Sequence, residues 1–369
     1  MSRVKLGDVA REHKETIKGD KSNYPIVGLE HLIPENIRLT QWDYNKENTF
    51  TKVFRKGCVL FGRRRAYLKK AVYADFDGIC SGDITVIEAI PGKILPELLP
   101  FVIQNDDLFD YAVGKSAGSL SPRVKWEHLK NYEFELPDIE KQRELAKILW
   151  SIVETKESYE RLMAATDELV KSQFIEMFED KKTEKIQLKS IALEWMKGQA
   201  FKKDDIVENG KTKCIHYGEL FTCYGSVINT VRSSTNVIPI KTSKIGDILF
   251  PASDVTPLGL TKCSAIMLND VILGGDIIIM RPKEGVNPEY LSYAIRMQKE
   301  QLLSRVTGAV VRHISGKSLQ TVNIPLPNIE RQNQFAEFVW QSDKSKFELE
   351  NCIKNAVSMY KKILKEYLG

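Results

Sequence analysis

"RVTGAVVRHISGKSLQTVNIPLPNIERQ", residues 305–332, aligns without gaps on "KSAGSLSPRVKWEHLKNYEFELPDIEKQ", residues 115–142. Gly118 falls on Gly308, Leu129 on Leu319, Pro137 on Pro327, Ile139-Glu140 on Ile329-Glu330 and Gln142 on Gln332, each pair 190 apart (308 − 118 and 332 − 142). A single offset held over so many positions is an internal repeat, and it frames every other reading of the chain.

The repeat extends outward from that segment. "VKLGDVA" (4–10) resembles "IQLKSIA" (186–192), and "GCVLF" (57–61) resembles "GDILF" (246–250). "SGDITVIEA" (81–89) resembles "GGDIIIMRP" (274–282), and "LPELLPFVI" (95–103) resembles "NPEYLSYAI" (287–295). The offsets drift from 182 (186 − 4) through 189 (246 − 57) and 193 (274 − 81) to 192 (287 − 95), so the connecting loops differ in length. Two copies, each filling about half of the 369 residues, make a tandem duplication and not a solenoid.

Within each copy the first part is mixed. Short β-rich runs ("CVLFG", "DITVIEAI", "DVILGGDIIIM", "TVNIPLP") are punctuated by Gly, Pro and Asn. One or two helices are expected in each copy, at about 95–113 and 287–304. Then the texture changes. Pro137-Asp138 and Pro327-Asn328 each supply an N-cap residue, followed by forty residues without Pro or Gly, 139–178 and 329–368. Apolar residues recur there at spacings of three and four, among them Leu145, Ile148, Leu149, Ile152, Leu162, Leu169, Phe174 and Phe178 in the first and Phe335, Val339, Phe347, Tyr360, Leu364 and Leu368 in the second. Forty helical residues span about 60 Å. A rod of that length with one apolar stripe needs an equally long partner. The expected architecture is α/β (α+β): two similar mixed domains and two long helices packed antiparallel as a coiled coil. The expected boundaries are 1–137, 138–180, 181–327 and 328–369.

Bulk properties exclude several classes. No run approaches 18 apolar residues and the N-terminus carries no apolar leader, so a cytoplasmic location and no membrane span are expected. The six cysteines are scattered without a C-x-x-C pair and read as reduced thiols. Net charge is +5, unevenly placed. Residues 1–137 hold 21 Lys/Arg against 19 Asp/Glu, 186–327 hold 17 against 12, and 139–178 hold 6 against 8. The positive excess sits in the mixed segments, which is compatible with nucleic-acid binding without establishing it.

A duplicated mixed domain followed by a long helix, with "LPDIEKQ" (136–142) and "IPLPNIERQ" (324–332) at the junctions, resembles the specificity subunit of type I restriction–modification enzymes. "SGDITVI" and "GGDIIIM" fit that family's pattern, and "GCVLFGRRRAYLKKAVYADFDGICSGDITVIEA" is similar to one of its kinds of target-recognition domain. The resemblance covers essentially the whole chain. It implies that each mixed domain reads one half of a split double-stranded DNA target. It also implies that the paired helices act as a ruler and dock two methyltransferase subunits, and that restriction subunits join the full complex.

The residue types and their spacing support a reader and not a catalyst. "NPEY" (287–290) lacks the second Pro of a methyltransferase loop, and with "LPEL" (95–98) it reads as a helix start. Neither a Gly-rich cofactor loop nor a P-loop is present, and Asp138 reads as a cap. His13, His31, His128, His216 and His313 lie far apart, and "CIHYGELFTC" (214–223) fits no standard metal spacing, so no metal and no cofactor are expected.

The candidate DNA contacts are led by "GRRRAYLKKA" (62–71): Arg63, Arg64, Arg65, Tyr67, Lys69 and Lys70. Cations suit phosphates, Arg suits guanine edges, and Tyr can pack on sugar or base. A solvated loop paired with Asp75 and Asp77 is the competing reading. The corresponding loop in the second copy, "PASDVTPLGLTKCS" (251–264), offers Ser253, Asp254, Thr256 and Lys262. A second polar patch precedes each helix: Lys115, Ser116, Ser119 and Arg123, and Arg305, Arg312 and His313. "VGLEHL" (27–32) and "IHYGELF" (215–221) match one another and are expected to place His31 and His216 near the reading face. Two other classes stay open at this point: a coiled-coil scaffold that binds only proteins, and a solitary restriction–methylation enzyme.

Overall fold

Pro137 and Pro327 follow the short strands Glu133–Leu136 and Asn323–Pro325, and the next residue caps a helix. In the computed structural model, which describes residues 2–179 and 183–369, Asp138 accepts a hydrogen bond from Lys141 N (3.0 Å) and Asn328 one from Arg331 N (3.1 Å). The helices Ile139–Phe178 and Ile329–Leu368 follow, 40 residues each. The repeated Gln now has a physical role. Gln142 donates to Pro137 O (2.9 Å) and accepts from Leu95 N (2.9 Å), and Gln332 donates to Pro327 O (2.8 Å) and accepts from Asn287 N (2.9 Å). Both are buried, so each one satisfies two main-chain groups that would otherwise be orphaned inside the protein.

The chain forms two compact units, Met1–Leu162 with Glu348–Gly369, and Met163–Phe347. The division runs through both long helices. The expected boundary at 180–181 lies outside the described residues.

In the first unit a four-stranded antiparallel sheet orders Ala10–Glu12, Ile84–Ala89, Val59–Gly62 and Ala71–Tyr73. A three-stranded sheet joins Ile26–Val27, Gly78–Cys80 and Lys52–Phe54. In the second unit the corresponding sheet orders Ala192–Lys197, Ile277–Pro282, Asp247–Pro251, Ser264–Ile266 and Val227–Ile228. The central strands "VLFG" and "DILFP" are buried throughout, because the sheet is covered on both faces, and this is why they read as unbroken apolar runs. Of the one or two helices expected at 95–113 and at 287–304, each stretch forms two: Leu99–Ile103 with Asp106–Gly114, and Pro288–Met297 with Lys299–Leu303. Asn105 causes the first break by capping the second segment, its side chain accepting from Asp107 N at 3.1 Å. The "NPEY" stretch is a helix start as expected, with the Asn287 side chain accepting from Glu289 N and Tyr290 N.

The long helices pair antiparallel within each unit. In the first, Lys141 lies over the Tyr367 ring at 5.3 Å, while Ile152 and Val153 line one cavity with Ala356, Val357 and Tyr360. In the second, Lys346 bonds Asp167 at 2.9 Å, and Arg331 lies over Phe178 at 5.4 Å. The apolar stripe is continuous with the cores. Leu145, Leu149, Leu364 and Leu368 join the first core, and Phe174, Phe178, Phe335 and Val339 join the second. Phe335 packs edge-on against Phe174 and Phe178, with both centroids at 5.4 Å. The stripe is not wholly buried: Ile148, Leu162, Leu169 and Phe347 are about half exposed, because the seam between two helices is narrower than the stripe read from the sequence.

Cys58, Cys80, Cys214 and Cys263 are buried and unpaired, as expected. Burial pushes the Cys58 thiol up to about 11 and that of Cys80 to about 12, so both stay protonated at neutral pH. No helix among the described residues is long and apolar enough to cross a membrane.

Leu364 is buried in the first core although it lies in the last helix. Leu364→Ala is therefore expected to destabilise the first unit by about 2–5 kcal/mol. Hydrogen exchange should show faster opening of the strands at 59–62 and 84–89, with the strands at 247–251 and 277–282 unchanged.

Candidate nucleic-acid interface

In the first unit the chain leaves the strand Val59–Gly62 through Arg63 and returns through Lys70. Gly62 N donates to Lys70 O at 2.8 Å and closes the loop at its root. Arg65 and Lys69 adopt left-handed backbone, φ 55° and 51°, on either side of the 3-10 turn Ala66–Leu68. That geometry buries Ala66 and turns Tyr67 and Leu68 outward.

The second expected patch lies directly against this loop. Val124 N donates to Arg63 O (2.9 Å) and Arg65 N to Pro122 O (2.8 Å), so Arg64 faces Arg123 across an antiparallel bridge. Residues 117–123 form a narrow hairpin in which Ala117 and Arg123 exchange both main-chain hydrogen bonds. It turns at Gly118, whose φ of 116° a side chain would rarely tolerate.

Asp83 is the counter-ion that sequence reading missed. Its carboxylate accepts from Arg123 at 2.8 and 3.2 Å and lies 3.8 Å from both Arg63 and Arg64. The Arg123 hydrogen bond, then the nearby guanidinium charges, hold its carboxyl below the ordinary value. Asp75 and Asp77 are not the partners of this loop: Asp77 is held by Arg55 at 2.8 Å. Three guanidinium groups on one carboxylate leave positive charge in surplus. Lys69 pairs with Asp106, and Lys70 Nζ donates to Leu29 O (2.7 Å), so both lysines anchor the loop. Arg65 and Tyr67 remain exposed. Lys115 stands over the Tyr111 ring, Ser116 donates to Ala112 O, and Ser119 is exposed at the hairpin tip.

The second unit repeats most of this frame, although Pro251, at the position of Gly62, has no N–H to close the loop root. Ala252 N donates to Asp276 O (2.8 Å) as Arg63 N does to Asp83 O (3.0 Å), and Ile314 N donates to Ala252 O (3.0 Å) as Val124 N does to Arg63 O. Thr307 and His313 exchange both main-chain bonds, turning at Gly308 with φ 96°. Ser253 pairs with His313 and Asp254 with Arg312. The chemistry on the frame differs. Asp254 accepts from Val255 N and Thr256 Oγ1, both at 2.7 Å, and so caps its own turn. Lys262 Nζ donates to Phe221 O (3.0 Å), and Arg305 grips Thr321 at 3.0 and 3.1 Å.

His31 and His216 do not occupy matching places. Val27 and Ile215 are the equivalent strand ends, each beside a parallel neighbour. His31 Nδ1 accepts from Gly28 N (3.0 Å), whereas in the second unit Glu219 accepts from His216 N (2.7 Å). Glu219, not His216, is the counterpart of His31, and both cap a turn. His13, Cys58 and Glu88 converge elsewhere in the first unit. Both ring nitrogens of His13 are already engaged, by Glu88 (2.9 Å) and Glu15 (3.2 Å), and Arg11 and Arg55 pair with those carboxylates. The cluster thus closes on itself as an ion-pair chain.

The comparisons with known proteins agree with the repeat. A family model described as a type I restriction modification DNA specificity domain matches residues 1–164 and again 180–359. The putative type I restriction enzyme MjaX specificity subunit of Methanocaldococcus jannaschii is 23% identical over 368 residues, covering 90% of this chain and 82% of its own. The MjaVIII specificity subunit of the same organism is 25% identical over 290 residues, covering 70% and 66%. Two solved structures share the fold. One comes from work on complex assembly and conformational transition of a type I R-M system (20% identity, TM-score 0.59, 99% of this chain and 97% of that one). The other is a type I restriction-modification S subunit from M. genitalium (13% identity, TM-score 0.61, 100% and 96%).

Asp83→Asn is expected to loosen the paired loops. The amides of Arg65 and Val124 should exchange about fivefold to tenfold faster, corresponding to roughly 1 kcal/mol. In the unsubstituted protein a lowered carboxyl contributes in full above its ordinary value of 3.8 and loses that contribution as pH falls through the shifted one. Acidification below 3.8 should therefore bring the two proteins together.

Proposed function

Because the chain belongs to the type I restriction–modification DNA specificity family, a family of non-catalytic recognition subunits, we propose that each unit reads one half of a bipartite double-stranded target through its paired loops. The observation that carries this is the repeated frame with unlike contents. Both units join the two loops by corresponding main-chain bonds, yet one presents Arg64 against Arg123 where the other presents Ser253 against His313. A shared frame with different side chains suits two readers of different half-sites. In the first unit Arg65 and Tyr67 face the duplex, with Arg63, Arg64 and Arg123 beside them. In the second, Thr256, Arg312 and His313 take that place.

The helix pair sets the gap between half-sites and receives two methyltransferase subunits, with restriction subunits joining the larger assembly in the cytoplasm. Exposed apolar side chains on the helices, Ile148, Ile175, Trp340 and Phe347 among them, support docking of a protein there.

Arg64→Ala with Arg65→Ala should weaken binding of the assembled complex by about 1–3 kcal/mol for each arginine that pairs with a guanine, and should reduce the salt dependence for each that pairs with a phosphate. Unchanged affinity and site choice would remove this loop from the interface. The ruler is tested by inserting one heptad into each long helix, which adds about 10 Å. Sequencing of methylated sites should then show both half-sites retained and the gap lengthened by about three base pairs.

A further inference from the structure

The two most exposed large apolar side chains among the described residues are Leu120, at 91%, and Val310, at 84%. They occupy one position of the repeat (310 − 120 = 190). Each sits near the tip of the glycine-turned hairpin just described, two residues beyond Gly118 or Gly308. A Cβ on Gly308 would meet Val311 O at 2.2 Å, so the turn that projects the tip depends on the absence of a side chain. Other apolar groups are exposed on the same paired loops: Tyr67 (55%) and Leu68 (40%) in the first unit, Val255 (73%) and Val311 (45%) in the second. Isolated exposed aliphatics need no explanation, but the same extreme position filled twice does.

What would cover them must be apolar and lie beside anions. In the first unit the hairpin is flanked by Arg64 and Arg123, which outnumber their one shared carboxylate, Asp83. In the second it is flanked by Arg312 and His313. A DNA major groove presents that combination: phosphates at its edges and, on its floor, the thymine C5-methyl, the one apolar group on a base edge. We infer that Leu120 and Val310 are aliphatic fingers, each reading a thymine methyl in its own half-site. This rests on the paired loops being the DNA-reading surface, and it adds which base the tips select.

The test uses the full chain and a pool of random-sequence duplexes. After the bound sites are sequenced, each thymine of the enriched site is replaced in turn by deoxyuridine, which removes only the methyl group. The unsubstituted protein should lose about threefold to fivefold in affinity at one thymine of each half-site, the effect of one buried methyl. Leu120→Ala should be indifferent to that replacement in the first half-site, and Val310→Ala in the second. Leu120→Met, which keeps an aliphatic tip, should retain the sensitivity. A half-site without an A·T pair, indifference of the unsubstituted protein to every replacement, or Ala variants that keep the full sensitivity to deoxyuridine would overturn the finger assignment and leave DNA reading intact. Enrichment of no sequence at all would overturn the DNA-reading proposal itself.

Discussion

Neither half of the duplicated sequence closes its own core. The first unit is completed by Leu364 and Leu368 from the last helix, and Asn105 donates to Leu368 O at 3.2 Å, a bond spanning 263 positions. The second unit includes Phe174 and Phe178, which belong to the first copy in sequence and pack on Phe335. Removing either contribution would expose large apolar surface at about 25 cal/mol per Å². The antiparallel pairing of the helices is thus a consequence of core completion as much as of the seam between them.

This dependence explains why the junction is the part of the repeat in which the two copies agree best. Pro137 and Pro327 stop a strand, Asp138 and Asn328 start a helix, and Gln142 and Gln332 tie that helix to main chain at Leu95 and Asn287. A helix that completes a second core has to leave its own strand at a defined angle. Two buried hydrogen bonds per glutamine set that exit, and any residue without both a donor and an acceptor would leave one group unsatisfied. The repeated spacing therefore records geometry and not chemistry.

The reading surface follows a different logic. Main-chain bonds hold the paired loops in the same way in both units, whereas the side chains on them are free to differ. Arg63, Arg64 and Arg123 gather on Asp83 in one unit, and Asp254 folds onto Thr256 in the other. Placing specificity on side chains and registration on backbone lets two readers diverge without disturbing the frame that aims them.

The sequence by itself determined the duplication, the mixed units, the length and polarity of both helices and the caps that begin them. These rest on period, spacing and local hydrogen bonding, all of which a linear chain displays. It also marked the cationic loop at 62–71. It left Asp83 unread, because an acid becomes a counter-ion only when folding brings it to arginines 20 and 40 positions away (83 − 63 and 123 − 83). Within 95–113 and 287–304 the sequence left open one helix or two, because the breaks at Asn105 and Gln298 come from a side-chain cap and local backbone geometry that periodicity does not carry. The match between "VGLEHL" and "IHYGELF" located a shared turn and set His31 on Glu219, as the strand register does, but the capping role of both side chains came only with the fold. Which candidate cations anchor a loop and which stay exposed, and the exposure of Leu120 and Val310, were likewise decided by tertiary structure, because burial and partnership are properties of contacts between distant segments.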